Sequence, residues 1–284
     1  MMTRRQMIVR SAQGAALFAF GSLLAPLFAA AEDRRFKIGA CEWSLRKSGP
    51  GCFDVAKEIG LDGVEVNMGT AGNNMYLRQV DVQQAYREAA KRTGLEIASL
   101  AMAELNGVPL KSDPRAVEWL ADSIGVMQAL NINVVLVAAF SKGDLCGDKP
   151  GIDHTVEVLK QIAPKAEKAK VILGLENYLS AEDNLDIIQR VGSRAVQVYY
   201  DVGNSTDKGR DVCKEIRMLK GNVCQFHAKD GKFMLGAGRI DFRKVREAMD
   251  AIEYRGWIQI EAAAPHGLVP DYQAHYKFLK GIFI

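Results

Sequence analysis

From Phe36 onward, short apolar runs rich in β-branched residues alternate with longer stretches whose apolar positions recur every three or four residues. Each pair takes roughly thirty residues, the pattern of strand–helix units feeding a parallel sheet. The runs predict strands near Lys37–Glu42, Gly63–Asn67, Glu96–Leu100, Asn133–Ala139, Val171–Glu176, Val196–Asp201, Val223–His227 and Trp257–Glu261. Between them, Val117, Leu120, Ile124 and Met127 mark one buried helix face, and Val156, Leu159, Ile162 and Ala166 another. Asp113-Pro114 reads as a helix start, with Asp as N-cap and Pro in the first turn. Gly60-Leu61-Asp62-Gly63 and Thr93-Gly94-Leu95 read as helix ends that turn into the next strand. Eight such units without a long linker predict a single-domain α/β fold, a (β/α)8 TIM barrel. A doubly wound open sheet is the alternative, but it normally carries a Gly-rich phosphate loop after its first strand. Here Ala40-Cys41-Glu42-Trp43-Ser44 stands in that place.

Ahead of the first strand the pattern changes. Arg4 and Arg5 precede an apolar run from Ala15 to Leu27, too short to span a bilayer comfortably, and Ala29-Ala30-Ala31 follows it. Residues 1–31 are therefore expected to be a cleavable export signal, with the barrel at 32–284. The paired arginines in Thr3-Arg4-Arg5-Gln6 resemble a twin-arginine signal, which implies export in the folded state, to the periplasm, with no stable membrane anchor after cleavage. An ordinary secretory signal or a retained N-terminal helix is the alternative. Loss of that segment removes three arginines and no acid, so the formal charge of +3 falls to zero. That balance argues against nucleic acid and anionic lipid as partners. At 48% hydrophobic and 25% charged residues, the remainder is ordinary for a globular chain. The five cysteines include no Cys-x-x-Cys pair, which disfavours a zinc knuckle or a redox motif.

The candidate chemistry lies at the ends of predicted strands five to eight, which close on Glu176, Asp201, His227 and Glu261. Successive gaps of 25, 26 and 34 residues each approximate one strand–helix unit. A closed barrel would thus gather all four at its C-terminal mouth, where barrel enzymes keep their active sites. Three carboxylates crowded together repel one another and raise the pKa of at least one, a conflict that a divalent cation removes. Carboxylate oxygens with one imidazole nitrogen suit a single manganese, magnesium, cobalt or zinc ion, with iron also compatible. Side chains alternate along a strand, so Gln225 and Gln259, two residues before a ligand, should point inward beneath the metal. They are expected either to orient His227 and Glu261 or simply to fill the barrel.

Taken together, Gly174-Leu175-Glu176-Asn177, Asp201-Val202-Gly203-Asn204, His227-Ala228-Lys229-Asp230, Gly236-Ala237-Gly238-Arg239-Ile240-Asp241-Phe242 and Glu261 resemble the xylose-isomerase-like barrel superfamily, in its sugar phosphate isomerase/epimerase branch. The resemblance spans nearly the whole chain after the leader. It implies that Glu176 and Glu261 are both metal ligands and the acid/base pair, with Asp201 and His227 completing the metal site. The implied substrate is a small carbohydrate, deprotonated next to its carbonyl through an enediolate and reprotonated to give an epimer or an aldose–ketose isomer. Two departures stand out. Asn204 replaces a histidine found in some members, and Ala237 replaces a frequent acid in the glycine loop.

Further candidates for substrate contact are Glu65, Asn204, Lys229, Trp43 and Arg239. Each has a plainer reading: a loop cap for Glu65, a salt bridge to Asp230 or another nearby acid for Lys229, core packing for Trp43. His154, His266 and His275 lack ligand spacing, and only His266 lies close to Glu261 in sequence. Export favours a non-phosphorylated sugar or related polyol ketone. A keto-glycoside lyase acting by elimination uses the same first step and is the runner-up. A non-catalytic sugar binder would not need two candidate bases, and an apurinic endonuclease would need more than four histidines. A homo-oligomer is compatible with the sequence.

Overall fold

In the closed barrel each strand lies parallel to its sequence neighbours, and β1 pairs with β8 to complete the ring. The computed structural model describes residues 35–284, so the predicted export signal lies outside the described residues. The strands are β1 (Phe36–Cys41), β2 (Gly63–Asn67), β3 (Glu96–Met102), β4 (Val134–Ala139), β5 (Ile172–Asn177), β6 (Val196–Asp201), β7 (Val223–Ala228) and β8 (Gly256–Ile260). Around them run α1 (Cys52–Ile59), α2 (Val80–Thr93), α3 (Pro114–Leu130), α4 (Lys149–Ala169), α5 (Ala181–Val191), α6 (Val202–Asp207), α7 (Val212–Leu219), α8 (Phe242–Ala251) and α9 (Leu268–Phe283). None of these helices is long and apolar enough to cross a membrane.

Local chemistry explains the boundaries. Asp113 accepts the Arg115 amide with Pro114 in the first turn of α3, while Gly60 and Gly94 end α1 and α2 in the left-handed conformation. The predicted faces of α3 and α4 are buried, except that Val117 is only half-buried and Ala116 and Trp119 take its place. Several strands differ from expectation by a residue or two. Two of these differences matter here: β1 stops at Cys41 and β8 at Ile260, leaving Glu42 and Glu261 on the loops just beyond.

Alternation along the strands separates two packing layers. Ile38 and Ala40 of β1, Val64 and Val66 of β2, Leu173 and Leu175 of β5, and Ile258 and Ile260 of β8 join the layer shared with the helices. Leu136, Ala138 and Tyr199 belong to a second cluster with Ala101 and Val134. The parity that sends Leu175, Tyr200 and Phe226 to the helix layer therefore sends Glu176, Asp201 and His227 inward. In β7 the register against β6 slips between Val198 and Tyr199, with Cys224 as the extra residue, and His227 comes level with Asp201.

Candidate metal and active site

Glu176 ends the inward-facing row of β5, Asp201 closes β6, His227 sits one residue before the end of β7, and Glu261 follows β8. One ligand-type atom from each of these four lies within 4.8 Å of all the others. His227 is fully buried, with Nδ1 2.8 Å from Glu176 Oε1 and 3.8 Å from Glu261 Oε2. Asp201 is divided between two tasks. Its Oδ1 accepts the Gly203 and Asn204 amides at 2.6 and 2.9 Å as the N-cap of α6, whereas its buried Oδ2 has no hydrogen-bond partner. Lys229 Nζ stands 3.8 Å from that oxygen and donates to Glu261 Oε2 at 2.9 Å. Trp43 Nε1 donates to Glu261 Oε1 at 3.0 Å.

The electrostatics are asymmetric. Burial pushes the Glu176 carboxyl up to about 7 and the Asp201 carboxyl up to about 6. Burial would also raise Glu261, but His227 and Lys229 outweigh it and hold that carboxyl below its ordinary value. Burial works against charge on His227 too, and there the facing Cys41, Glu176 and Glu65 groups prevail, holding the imidazole well above its ordinary value. The two glutamates are thus driven apart in proton affinity, an arrangement suited to an acid/base pair. An orphaned buried carboxylate oxygen beside two further carboxylates and an imidazole nitrogen is a donor set that fits a divalent cation.

Above the cluster opens a cavity of about 320 Å³, lined by both glutamates, Trp43, Asn204 and Lys229 together with Phe140 and Tyr178. Its size falls at the low end of small-molecule sites. Phe140 and Tyr178 pack edge to face, 4.7 Å between ring centroids. Neither aromatic residue was singled out from the sequence. Each lies one residue past a strand's C-terminal end, and that position was the available signal.

Other expectations need correction. Glu65 is fully buried and does not line this cavity. It accepts from Ser99 at 3.2 Å and lies 2.9 Å from His227 Nε2, behind the ring. Cys41 Sγ approaches that same nitrogen at 3.3 Å, and burial pushes its thiol well up. Cys41, Glu65 and His227 form a second ligand-type trio that shares the imidazole. Gln225 and Gln259 are buried but make no hydrogen bond to His227 or Glu261. Gln225 Oε1 and both polar atoms of Gln259 lack hydrogen-bond partners, and the imidazole is engaged by Glu65 and Glu176 instead. Arg239 is 65% exposed and pairs with Asp207, away from the four ligands. Lys229 follows its plainer reading, and the nearby acid it pairs with is Glu261. Asp230 instead gathers the backbone amides of Gly236, Gly238, Arg239 and Ile240, which answers what holds the glycine loop when Ala237 carries no acid. Of the remaining histidines, His154 is exposed, His266 pairs with Asp271, and His275 is buried against the Ala263 carbonyl. Among the described histidines only His227 enters a ligand cluster.

A closed eight-stranded barrel with a mixed carboxylate–imidazole cluster at its C-terminal mouth defines a class of barrel with a candidate metal centre. The family profile described as the xylose isomerase-like TIM barrel matches residues 53–282, and the chain belongs to that family. Among curated relatives, it is 26% identical over 223 residues to a 2-epi-5-epi-valiolone 7-phosphate 2-epimerase of Actinoplanes sp., covering 75% of this chain and 82% of the relative. It is also 26% identical over 258 residues to a putative L-ribulose-5-phosphate 3-epimerase of Escherichia coli, covering 80% and 89%. Among solved structures, the D-allulose 3-epimerase of Methylomonas sp. superposes with a TM-score of 0.73 at 16% identity, over 88% of this chain and 98% of that one.

Proposed function

We propose that this chain is an exported, divalent-cation-dependent isomerase or epimerase of a non-phosphorylated sugar or related polyol ketone. The observation that carries the reading is the buried Oδ2 of Asp201, which has no hydrogen-bond partner and is set among Glu176, His227 and Glu261, two of which, Glu176 and Glu261, line a small cavity. The curated relatives named above are epimerases of phosphorylated substrates, which supports epimerase chemistry on this scaffold.

Glu176, Asp201, His227 and Glu261 would hold the cation. When bound, it would draw electron density from the substrate carbonyl and lower the cost of charge beside it. The rest of the work falls to the protein. Glu261, held below its ordinary pKa, is the carboxylate ready to take the proton next to the carbonyl, with Trp43 and Lys229 fixing its two oxygens. Glu176, the second carboxylate lining the cavity, is placed to hand a proton back. Lys229 keeps its ammonium charged because Glu261 and Asp201 outweigh the burial that opposes it. Asn204 offers a neutral amide at the wall and cannot carry a proton itself.

Purified protein reconstituted with manganese, cobalt, magnesium or zinc and followed by proton NMR in heavy water against ketoses and polyol ketones tests this directly. Loss of the signal for the proton next to the carbonyl is the expected result. A ketose panel that retains every such proton with all four metals would reject the reading.

A further inference from the structure

Beside the cavity over the four ligands lies a second, larger one of about 570 Å³. Lys229 lines both. Its stem packs on Gly203, where an added Cβ would stand 2.8 Å from the Lys229 Cβ and Cγ, so the lysine keeps its place between the two linings only because residue 203 lacks a side chain. One side of the second cavity is Gly203, Thr206 and Asp207 of α6, and the other is the loop after β7 with Lys232, Phe233 and Arg239. We propose that this cavity is a second binding subsite, taking a further hydroxylated ring joined glycosidically to the sugar that reacts over Glu176 and Glu261. The proposal rests on the reading of those residues given above and names the class of substrate, a glycoside rather than a free monosaccharide.

Three observations support a neutral ring over a phosphate. The glycine loop presents backbone amides that would otherwise form an anion cradle, but Asp230 has taken them. Its Oδ2 accepts from Gly236 and Gly238, both at 3.0 Å, and its Oδ1 from Arg239 at 2.9 Å and Ile240 at 3.3 Å. A Cβ at Gly238 would collide with that carboxylate, so the loop is shaped around its internal anion. The Arg239 guanidinium is held by Asp207, which leaves a donor–acceptor pair at the rim, the combination that suits vicinal hydroxyls. Phe233 is one of only three large apolar side chains exposed among the described residues, and it lines this cavity. A lone exposed phenylalanine is unremarkable on a surface. Lining the same cavity as that pair, 44% exposed and with the Lys232 ammonium 5.7 Å from its ring centroid, it offers its uncovered surface to the C–H face of a sugar and the lysine as a further donor to hydroxyls.

The test compares proton exchange on a keto-disaccharide with exchange on the matching ketohexose, using the full chain loaded with manganese. The expected preference for the disaccharide in kcat/KM is about tenfold, the size one stacked aromatic contact carries, with Phe233→Ala bringing the ratio close to one. Because Phe233 belongs to neither packed cluster, its truncation leaves the core intact. Equal kcat/KM for both substrates, or equal loss on both in the variant, would overturn the subsite. Binding of an unreactive disaccharide, measured by saturation-transfer NMR, separates the two levels of inference. Disaccharide binding that disappears in Phe233→Ala without any proton exchange supports the subsite and sinks the epimerase reading. Exchange on monosaccharides with no disaccharide binding does the reverse. A ketose phosphate that displaces the disaccharide, and loses affinity in Arg239→Ala, assigns the cavity to phosphate and refutes the glycoside.

Discussion

Two buried carboxylates at the same rim of the barrel, Glu42 and Asp201, meet opposite fates. Glu42, one residue past β1, accepts the Gly49 and Asn67 amides at 2.7 and 2.9 Å and the hydroxyls of Tyr86 and Tyr76 at 3.0 and 3.3 Å. Asp201 has one oxygen equally well served and the other buried with nothing to accept. A buried charge whose lone pairs are all engaged by the protein is a structural strut, because every desolvated group has its compensation. One left short amid like charges awaits something from outside the chain. Glu215, which accepts the Ala181 amide and the Tyr200 and Ser205 hydroxyls, falls with Glu42, as does Asp230. Burial and residue type are nearly the same at all these positions, and the hydrogen-bond inventory is what sets Asp201 apart from the other three.

The sharpest break between the two kinds of acid should come from the catalytic pair. Glu176→Gln and Glu261→Gln are each expected to slow proton exchange in heavy water by about 10³-fold. Wild-type exchange in both variants would remove the acid/base assignment. Next in size, Asp201→Asn should weaken manganese binding about 100-fold by calorimetry, since it removes a charged ligand oxygen. The amide oxygen still accepts from Gly203 and Asn204, so metal-free stability should hold. A drop in stability with unchanged affinity would place Asp201 with Glu42. Glu42→Gln tests the contrast from the other side. It presents an amide N–H to donors that need an acceptor, and denaturant titration should show a loss of about 1–3 kcal/mol with manganese affinity unchanged.

The smallest expected effect is on pH. Glu176 and Asp201 bind protons more tightly in the fold than in the unfolded chain, to about 7 and about 6. The metal-free fold is thus favoured by protonation below the ordinary carboxyl range and loses that contribution as pH rises through the folded values. The cation needs both groups ionised, so its affinity should rise with pH over the same window, by roughly fourfold from about pH 6.5 to about pH 7.5 through these two carboxylates, with His227 adding to the rise because it too must give up its proton to act as a ligand. Thermal shifts on adding manganese should grow accordingly. A flat or inverted profile would show that these two carboxylates do not compete with the metal for protons.

The barrel and its mouth were legible in the sequence because both follow from periodicity. Period-two alternation fixed which residues of β5 to β7 face inward, and spacings near one strand–helix unit placed Glu176, Asp201, His227 and Glu261 at one rim. Glu65, Gln225 and Arg239 were legible only in part. Parity sent Glu65 inward, but whether it met substrate or the back of His227 depended on how deep β2 sits against β7. Arg239 follows the glycine loop, and the direction of that loop is set by Asp230, eight to ten residues from the amides of Gly238 and Ile240.

What the chain determined by itself is therefore the element order, the facing of each strand and the kind of chemistry gathered at one end, since each is encoded in residues close together or repeated at a fixed interval. What only the tertiary structure decided is which buried acids are fully paired and which are short of partners. Those partners come from distant segments: Asn67 and Tyr86 reach Glu42, and Glu65 reaches His227. Hydrogen bonding is directional and short-ranged, so whether it is satisfied becomes known only when the segments meet.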